Sequence, residues 1–576
     1  MKTIINIIKK HKHLILSLII FAIVFCILGV PFKCWWFNGG DDFHGLYLGY
    51  KTKTWNDLFN FFLNGHTNQG MGASNCLSIF ERNTSFFSTF YRPLYCVYFA
   101  IQYWIFGTNA YYYLLTSVFF HSINTVILFN IFLWFTSLFP AFLIALLFTF
   151  HPQIAYRFGA IVNLHYYINV MLMLLSILFL KKYLDSKKLF YYFFSCMLFT
   201  LSLFTRESSI VLPAIIFLGL FLYPSPKNTL NLKKLFKHSI TNVKISSGFW
   251  VILSVFFSLR LYLYPLASKL NTQNNSLFKL IKEKIPEFKV FIYDALHLSW
   301  LPWGHKTIRG IIVITLFILF IWLFIKNSKK IYIIYFIIAT FLMLWPSYLG
   351  HYNPRYFYET HIFVLLTFIF LFKYHKENLL FLKKPFILGL IILNIFQITF
   401  AIENFSRRET KMKIMSKAIK KIINNPQLQK KSLCFLGYPS DGFGGHFAGL
   451  IWIFQDNPSI HAYFDTKTII KQLDSNIVSP VGWKNMVSEY YKKNFVKITP
   501  IKNGFRFKSS NSKKVAFNLN EKNGCSMGKK IIHKTKNING EKLTTDFTLI
   551  IDKKYIQEKI IFFTWDYEKQ KFVIIR

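Results

Sequence analysis

The sequence predicts an all-α polytopic membrane domain of about eleven transmembrane helices with further helices on its outer surface, followed by a small α+β soluble domain. Of the 576 residues, 53% are apolar and 67 are Phe, more than the core of a soluble domain of this size needs. The apolar residues come in runs of about 17 or more, which suffice to cross a hydrocarbon core of ~30 Å. In that medium each backbone amide needs a partner within its own segment, so the runs must be helices.

The first apolar run, residues 14–30, is predicted to be an uncleaved transmembrane helix. It follows a basic N-terminus, as the apolar part of a signal peptide does, but it is long and no small-x-small cleavage site follows it. Of the later runs, 141–150 and 362–372 are short, and we expect them to extend into their flanks. The later runs predicted to cross the membrane are residues 112–135, 141–150, 158–180, 190–204, 210–223, 249–264, 310–325, 331–349, 362–372 and 386–402.

Lysine-rich loops between the runs determine the predicted orientation. The positive-inside rule places these loops, together with the basic N-terminus, in the cytoplasm. A crossing by segment 93–106 would reverse that arrangement, so we interpret it as a surface or re-entrant helix on the outer face. Segment 55–63 resembles it, because Trp55, Leu58, Phe59 and Phe62 are spaced to form one apolar stripe. The basic loops are residues 181–188, 227–237, 326–330 and 373–384.

This topology divides the chain into a membrane domain, 1–402, and a soluble domain outside the cytoplasm, 403–576. Residues 31–110 form the first external loop of the membrane domain. In the tail, Asn503-Gly504 is typical of a hairpin turn, and no catalytic motif occurs, so an accessory or acceptor-contacting role is expected. The elements predicted in the tail are a basic amphipathic helix at 409–423, strands near 433–437, 495–501, 505–507 and 547–551, and a closing hairpin of 559–567 and 571–575.

Charge and cysteine content exclude several classes of protein. The net charge of +43 comes largely from lysines in short loops and in the tail, and no basic stripe with interleaved aromatic residues indicates a nucleic-acid groove. The seven Cys residues have no C-x-x-C spacing, so neither a zinc site nor a disulfide framework is predicted. Cys434 and Cys525 both lie in the tail, but nothing in the sequence requires a bond between them.

Ionisable residues collect at the predicted outer ends of the spans. Such groups are costly at membrane depth and tend to mark function. Any one of them alone is more typical of an interfacial residue whose charge reaches into water than of a site, whereas their convergence on one side favours a site. They are Asp41, Asp42, Arg92, His151, Arg206, Glu207, His351, Arg355 and Glu359.

Asp41 and Asp42 are the candidate catalytic residues. Adjacent carboxylates repel each other, so one pKa rises, or the pair shares a divalent cation. A carboxylate in this position could act as the general base that deprotonates an acceptor hydroxyl. The alternative is a solvated turn, since Gly39-Gly40 precedes the pair.

Arg92, Arg206 and Arg355 supply positive charge suited to a phosphate group, which a guanidinium binds through two parallel hydrogen bonds. Lipid headgroups are the alternative partners. The neighbouring Tyr91, Tyr356 and Tyr358 are typical of the aromatic belt at a membrane interface.

Two histidines are ambiguous. His121 lies within an apolar run and is predicted to be a hydrogen-bonded core residue. His151 precedes Pro152 at a helix end, where a structural role is as reasonable as a role in a site.

In order and in sidedness, these segments resemble the type-C glycosyltransferases. The resemblance rests on the aspartates of the first external loop, Arg92-Pro-Leu, His151-Pro, Arg206-Glu207 and Arg355-Tyr356. It covers roughly residues 14–402 and is greatest toward the protein O-mannosyltransferase branch and related bacterial cell-envelope sugar transferases.

This resemblance implies an inverting transfer of a sugar from a polyprenyl-phosphate donor to an acceptor glycan, lipid or protein outside the cytoplasm. It implies Asp41 or Asp42 as the base, and Arg92 and Arg206 in contact with the carrier phosphate. His151, Glu207, Arg355 and Tyr356 would belong to the same substrate-binding cavity. No Gly-rich phosphate-binding loop occurs, which agrees with a donor that carries no nucleotide.

The chain departs from the family in two places. The family often carries Lys-Glu where Arg206-Glu207 stands, and an acidic residue where Asn163 and His165 occur. The donor sugar and the acceptor therefore stay open.

Two other functions are considered. A transporter or flippase of lipid-linked glycans predicts polar residues through the bilayer midplane and an internal repeat, whereas the charges here lie on one side. A surface-glycan polymerase or ligase shares the same chemistry and stays open.

Overall fold

The computed structural model describes the helical part of the chain and the strands of the tail. The described residues are 2–29, 45–46, 48–50, 52–64, 91–151, 161–222, 232–263, 291–292, 295, 306–327, 329–348, 357–373, 387–398, 417–422, 425–428, 432–435, 461–464, 468–472, 496–501, 504–509, 515–519, 528–538, 541–551, 560–566 and 571–575.

The described part of the membrane domain is helical throughout, as predicted. Its helices are α1 (Lys2–Gly29), α2 (Trp55–Asn64), α3 (Pro93–Phe106), α4 (Ala110–Phe132), α5 (Leu138–Thr149), α6 (Leu164–Ser186), α7 (Leu189–Thr205), α8 (Leu212–Leu220), α9 (Leu232–Leu263), α10 (Lys306–Ile325), α11 (Lys330–Tyr348), α12 (Phe357–Lys373) and α13 (Ile387–Ile398). Short 3₁₀ turns precede α6 at Ile161–Asn163 and α8 at Glu207–Val211.

Three of the described helices are long and apolar enough to cross a membrane: α4, α6 and the Ile240–Tyr262 part of α9. The other apolar helices in the described part of the chain have apolar segments of 10–17 residues. The prediction of a membrane protein is thus supported, but three of the eleven predicted spans are confirmed by length and composition. The other spans coincide with helices whose apolar segments are shorter, and they stay predictions.

Two helices differ from their predicted bounds. The span predicted at 249–264 is only the second half of α9, which begins at Leu232, because the preceding lysine-containing segment forms helix without being apolar. The span predicted at 158–180 corresponds to α6, which continues to Ser186 and ends where Lys187 adopts a left-handed backbone with φ of 59°.

The two predicted surface helices are present as separate short elements. Helix α3 has 14 residues, about 21 Å at 1.5 Å per residue, which is too short for a full crossing. Helix α2 begins at a cap in which the Asp57 carboxylate accepts the backbone N–H groups of Lys53 and Thr54, at 2.9 and 2.8 Å. These hydrogen bonds lower the pKa of Asp57.

The predicted apolar stripe of α2 is buried along one edge and exposed along the other. Trp55, Phe59 and Leu63 are exposed, while Leu58 and Phe61 are buried against the domain. The exposed residues recur every fourth position and form one line along the helix. This line is the part of α2 that can contact a membrane surface.

The described strands of the tail form two sheets. One has the order β10-β9-β1-β2, and the other has the order β3-β6-β8-β5-β4 with β7 also paired to β8. The strands are β1 (Ser432–Phe435), β2 (His461–Phe464), β3 (Thr468–Gln472), β4 (Val496–Ile501), β5 (Gly504–Ser509), β6 (Val515–Leu519), β7 (Gly528–Ile538), β8 (Glu541–Ile551), β9 (Ile560–Asp566) and β10 (Lys571–Ile575).

The predicted hairpins of the tail are confirmed. Strands β4 and β5 are antiparallel with Ile501 opposite Gly504, and β9 and β10 pair antiparallel with Asp566 opposite Lys571. Strands β2, β3, β6 and β7 were not predicted. Of the predicted basic helix at 409–423, residues 417–422 are described and helical. The domain boundary at residue 402 stays a prediction.

Candidate functional site

The structure describes four of the eight predicted site residues: Arg92, His151, Arg206 and Glu207. Asp41, Asp42, Arg355 and Tyr356 lie outside the described residues. The geometry below therefore concerns the four described residues and the side chains packed around them.

An ion pair joins the start of α3 to the turn that follows α7. Arg92 immediately precedes α3, where Pro93 opens the helix, and its Nε lies 2.6 Å from Oε2 of Glu207. Both side chains are mostly buried. Among the described residues, Oε1 of Glu207 is buried and accepts no hydrogen bond. This carboxylate therefore has one oxygen to offer to a hydroxyl donor.

A second ion pair lies beside the first. Arg206 Nε is 3.4 Å from Oε1 of Glu359 in α12, and the two side chains are 3% and 2% exposed. The Arg206 guanidinium also covers the ring of Tyr166 in α6, with Cζ 3.7 Å from the ring centroid. This contact is a cation–π interaction in a desolvated place.

The backbone at Arg206 explains why neighbouring residues reach different partners. Arg206 ends α7 in an extended conformation with φ of −163° and ψ of 140°. Successive side chains of an extended backbone point in opposite directions, so Arg206 turns to α12 while Glu207 turns to α3. One dipeptide thus connects two ion pairs.

Asn169 of α6 holds the cluster together. Its Nδ2 donates to Oε1 of Glu359 at 2.9 Å and to Oγ of Ser208 at 3.2 Å, and Ser209 Oγ donates to its Oδ1 at 2.9 Å. The carboxylate and the 3₁₀ turn are therefore both tied to α6. We call Arg92, Glu207, Arg206, Glu359 and Asn169 the ion-pair cluster.

His151 lies in an aromatic layer. It is buried, and its ring centroid is 4.4 Å from that of His361 and 4.9 Å from that of Phe357, both in α12. His361 in turn stacks on Phe357 at 5.0 Å. Helix α12 thus supplies Glu359 to the ion-pair cluster, and the residues two positions before and after it, Phe357 and His361, contact His151.

A second polar network lies deeper in α4. His121 is fully buried, and its Nδ1 is 2.8 Å from the hydroxyl of Tyr358, to which Asn124 Nδ2 also donates at 3.1 Å. The prediction that His121 is a hydrogen-bonded core residue is confirmed.

The prediction that Tyr358 and Tyr91 belong to an interfacial belt is wrong. Both are buried, and the Tyr91 hydroxyl donates to the carbonyl of Phe62 at 2.8 Å. Each phenol finds a partner inside the protein, which removes the reason for a Tyr to stay at the interface.

The sequence predicted positive charge suited to a phosphate at Arg92 and Arg206, but it did not predict their protein partners. Arg92 and Arg206 are each paired to a carboxylate of the protein. Burial of a guanidinium in an apolar bundle is so costly that a nearby carboxylate is needed to compensate it. The pairing also fixes the orientation of each guanidinium, so these groups are held in place before any ligand binds.

Sequence reasoning missed Asn169, and although it singled out Glu359, it did not predict that Glu359 and Tyr166 contact Arg206. Asn169 interrupts an apolar run, and a polar amide there is a signal in itself, because it requires a partner within the membrane. In the described part of the chain no group of three or more His, Cys, Asp and Glu side chains could hold a metal ion. Asp41 and Asp42, the residues for which a divalent cation was considered, lie outside that part.

No family model matches the chain, and no curated protein matches it. Two solved structures of archaeal oligosaccharyltransferase from Archaeoglobus fulgidus are similar to it. The apo crystal structure has a TM-score of 0.43 and 11% identity, over 79% of this chain and 64% of that one. The second structure, of AglB in complex with an inhibitory peptide and a dolichol-phosphate, has a TM-score of 0.43 and 11% identity, over 89% of this chain and 75% of that one. The chain thus spans 64% of the length of the first structure.

Proposed function

We propose that this chain is an integral membrane glycosyltransferase that transfers a sugar, with inversion, from a polyprenyl-phosphate donor to an acceptor on the extracytoplasmic side. The observation that supports the proposal most strongly is the ion-pair cluster at one end of an apolar bundle. Apolar residues of similar volume often stabilise a fold as well as a buried ion pair does. Two adjacent pairs, tied by Asn169, therefore indicate a functional rather than a stabilising role.

The donor accounts for the residue types. A polyprenyl-phosphate sugar joins an apolar chain to an anionic group, and both environments meet where the ion-pair cluster closes the bundle. Arg92 and Arg206 would stabilise the negative charge that develops on the phosphate as it leaves. Their carboxylate partners keep them oriented, and His151, Arg355 and Tyr356 would complete the same cavity.

The reaction is a single displacement at the anomeric carbon. Asp41 or Asp42 takes the proton of the acceptor hydroxyl, and the acceptor oxygen forms a bond to that carbon from the face opposite the phosphate. The bond between the carbon and the phosphate oxygen breaks, and the carrier phosphate leaves with the electron pair. Oε1 of Glu207 suits a hydroxyl group of the sugar, because it is buried and accepts no hydrogen bond among the described residues.

The test is the release of carrier phosphate from a panel of polyprenyl-phosphate sugars by the purified full chain. We expect release with at least one donor, and loss of release when Asp41 and Asp42 are both replaced by Asn, with membrane insertion unchanged. Asp185→Asn is the matched control, because Asp185 is an exposed carboxylate that pairs with Lys181. Addition of a chelator decides whether the aspartates act with a divalent cation.

Three outcomes would contradict or replace this proposal. Full release by the Asp41→Asn, Asp42→Asn variant would remove the aspartates from the reaction. Movement of lipid-linked glycan across proteoliposomes, without carrier release, would indicate a flippase. A polymerase or ligase would be recognised by a requirement for a lipid-linked glycan as acceptor.

A further inference from the structure

A cavity of about 340 Å³ lies between α4, α6, α8, α11 and α12, beside the ion-pair cluster. Its walls are aliphatic and aromatic side chains. The charged residues of its lining are Glu359 at one end and Lys181 at the other. Its volume falls within the range of roughly 300–1,000 Å³ that is typical of ligand pockets.

The cavity is long, and it opens at the end where Lys181 lies. Along α6 its lining runs from Val170 to Leu184, about 21 Å at 1.5 Å per residue. Near Glu359 the lining residues are buried, as Val170 and Ile362 are, whereas Trp134 and Lys181 at the other end are partly exposed. The ion-pair cluster therefore closes the cavity at one end only.

The chemistry of the walls selects the occupant. Water is held in buried sites by hydrogen bonds to polar partners, and apolar walls offer none. When an apolar cavity opens within a bilayer, a hydrocarbon chain is the occupant with the lowest free energy. A length of about 21 Å exceeds half of a hydrocarbon core of ~30 Å, so the cavity accommodates an acyl chain of one leaflet.

The charges at the opening select the headgroup. Lys181 Nζ is 2.6 Å from the Asp185 carboxylate, so that pair is close to neutral. Further lysines at the same end exceed what one aspartate can compensate, which favours an anionic headgroup. They are Lys182, Lys187, Lys188, Lys329 and Lys330.

We propose that the chain binds an anionic glycerophospholipid from the leaflet at the lysine end, with an acyl chain in this cavity and the headgroup at Lys181. The predicted orientation makes this the cytoplasmic leaflet. The site goes beyond the proposed function and does not rest on it. The donor phosphate belongs at the opposite end, where the cavity is closed.

The experiment compares dioleoyl-phosphatidylglycerol with dioleoyl-phosphatidylcholine bound to the delipidated full chain, by native mass spectrometry in detergent. We expect the anionic lipid to bind more tightly, and Ile216→Phe, which fills the cavity, to weaken both lipids. Leu218→Phe, on the same helix but outside the lining, should leave binding unchanged. Lys181→Gln leaves the Asp185 carboxylate without its partner beside the headgroup, so it should weaken phosphatidylglycerol about five-fold, as the loss of one positive charge near a headgroup does. Lys182→Gln, outside the lining, should weaken it less.

Equal lipid binding by wild type and Ile216→Phe, with unchanged thermal stability, would overturn the proposal. So would displacement of phosphatidylglycerol by polyprenyl phosphate, which would assign the cavity to a donor tail. If Ile216→Phe does not fold, the lysine variants decide the case: unchanged affinity of Lys181→Gln for phosphatidylglycerol would contradict an anionic headgroup at Lys181. Loss of transferase activity plays no part in these readouts, so failure here is distinguishable from failure of the proposed function.

Discussion

Arg206 is a buried cation, and neighbouring side chains offset the free-energy cost of removing its charge from water. Its guanidinium is buried against the ring of Tyr166, and Glu359 is its carboxylate partner. Asn169 donates to the same carboxylate oxygen. Removal of one partner of a buried ion pair destabilises a protein by more than the intact pair stabilises it.

We therefore expect Glu359→Gln to destabilise the chain by about 3–5 kcal/mol, because the variant keeps the shape of the side chain and removes the charge that compensates Arg206. The measurement is the thermal midpoint of the purified protein in detergent. Asp185→Asn breaks an exposed pair and should change stability by less than about 1 kcal/mol. Equal shifts in the two variants would contradict a special role for the buried pair.

A second residue-scale prediction concerns pH and the tail. Arg506 donates to both carboxylate oxygens of Asp546, Nε at 3.0 Å and Nη2 at 2.9 Å, and these hydrogen bonds lower the pKa of Asp546. The stabilisation is present above the unfolded pKa of about 3.9 and is lost as the pH falls through the lower folded pKa.

Hydrogen exchange of the β5 and β8 amides in the full chain measures this effect. After correction for intrinsic rates, protection in the wild type should decrease as the pH falls below about 4. The Asp546→Asn variant has no carboxylate to titrate, so it should lack this part of the decrease. Parallel decreases in the two proteins would assign acid sensitivity to other groups.

At the scale of elements, the end of α3 depends on a single glycine. Gly107 follows the helix with φ of +54°, and its N–H donates to the carbonyl of Tyr103 at 2.8 Å. The Tyr113 hydroxyl donates to the Gly107 carbonyl at 2.7 Å, so the turn also joins α3 to α4. Only glycine adopts such a backbone without strain.

Gly107→Ala should destabilise the chain by about 1–2 kcal/mol, although a Cβ there would meet no other atom within 4 Å. The matched variant is Gly389→Ala within α13, where a Cβ also meets nothing within 4 Å. That backbone is helical, so Ala should stabilise it by about 0.5–1 kcal/mol. Thermal midpoints that move in the same direction would show that backbone conformation does not decide the result.

At the scale of the whole molecule, hydropathy predicted where helices lie but not what their polar residues contact. Arg92 and Glu207 are 115 positions apart, and Asn169 and Glu359 are 190 apart. No local pattern carries such pairings. The burial of Tyr358 was not predictable for the same reason, because its partners His121 and Asn124 lie in another helix.

The tail shows a similar limit. Strand β7 contains a lysine-rich sequence with little alternation, and it forms because it pairs with β8 over its length, with a register shift near Lys534. The β4–β5 hairpin was predictable because Asn503-Gly504 is a local turn signal, although Gly504 itself pairs with Ile501 and belongs to β5. Local signals therefore predicted the helices and the tight hairpins, and long-range pairing determined the remaining strands.

The most direct test of the central claim is the rate of carrier release by Arg206→Gln with a polyprenyl-phosphate sugar that the wild type uses. A sugar transfer centred on the ion-pair cluster predicts that kcat/KM falls by about 10²–10³, as expected when one group that stabilises a developing negative charge is removed. Lys182→Gln, exposed at the opposite end of the bundle, should retain the wild-type rate. Unchanged release by a folded Arg206→Gln variant would contradict the claim.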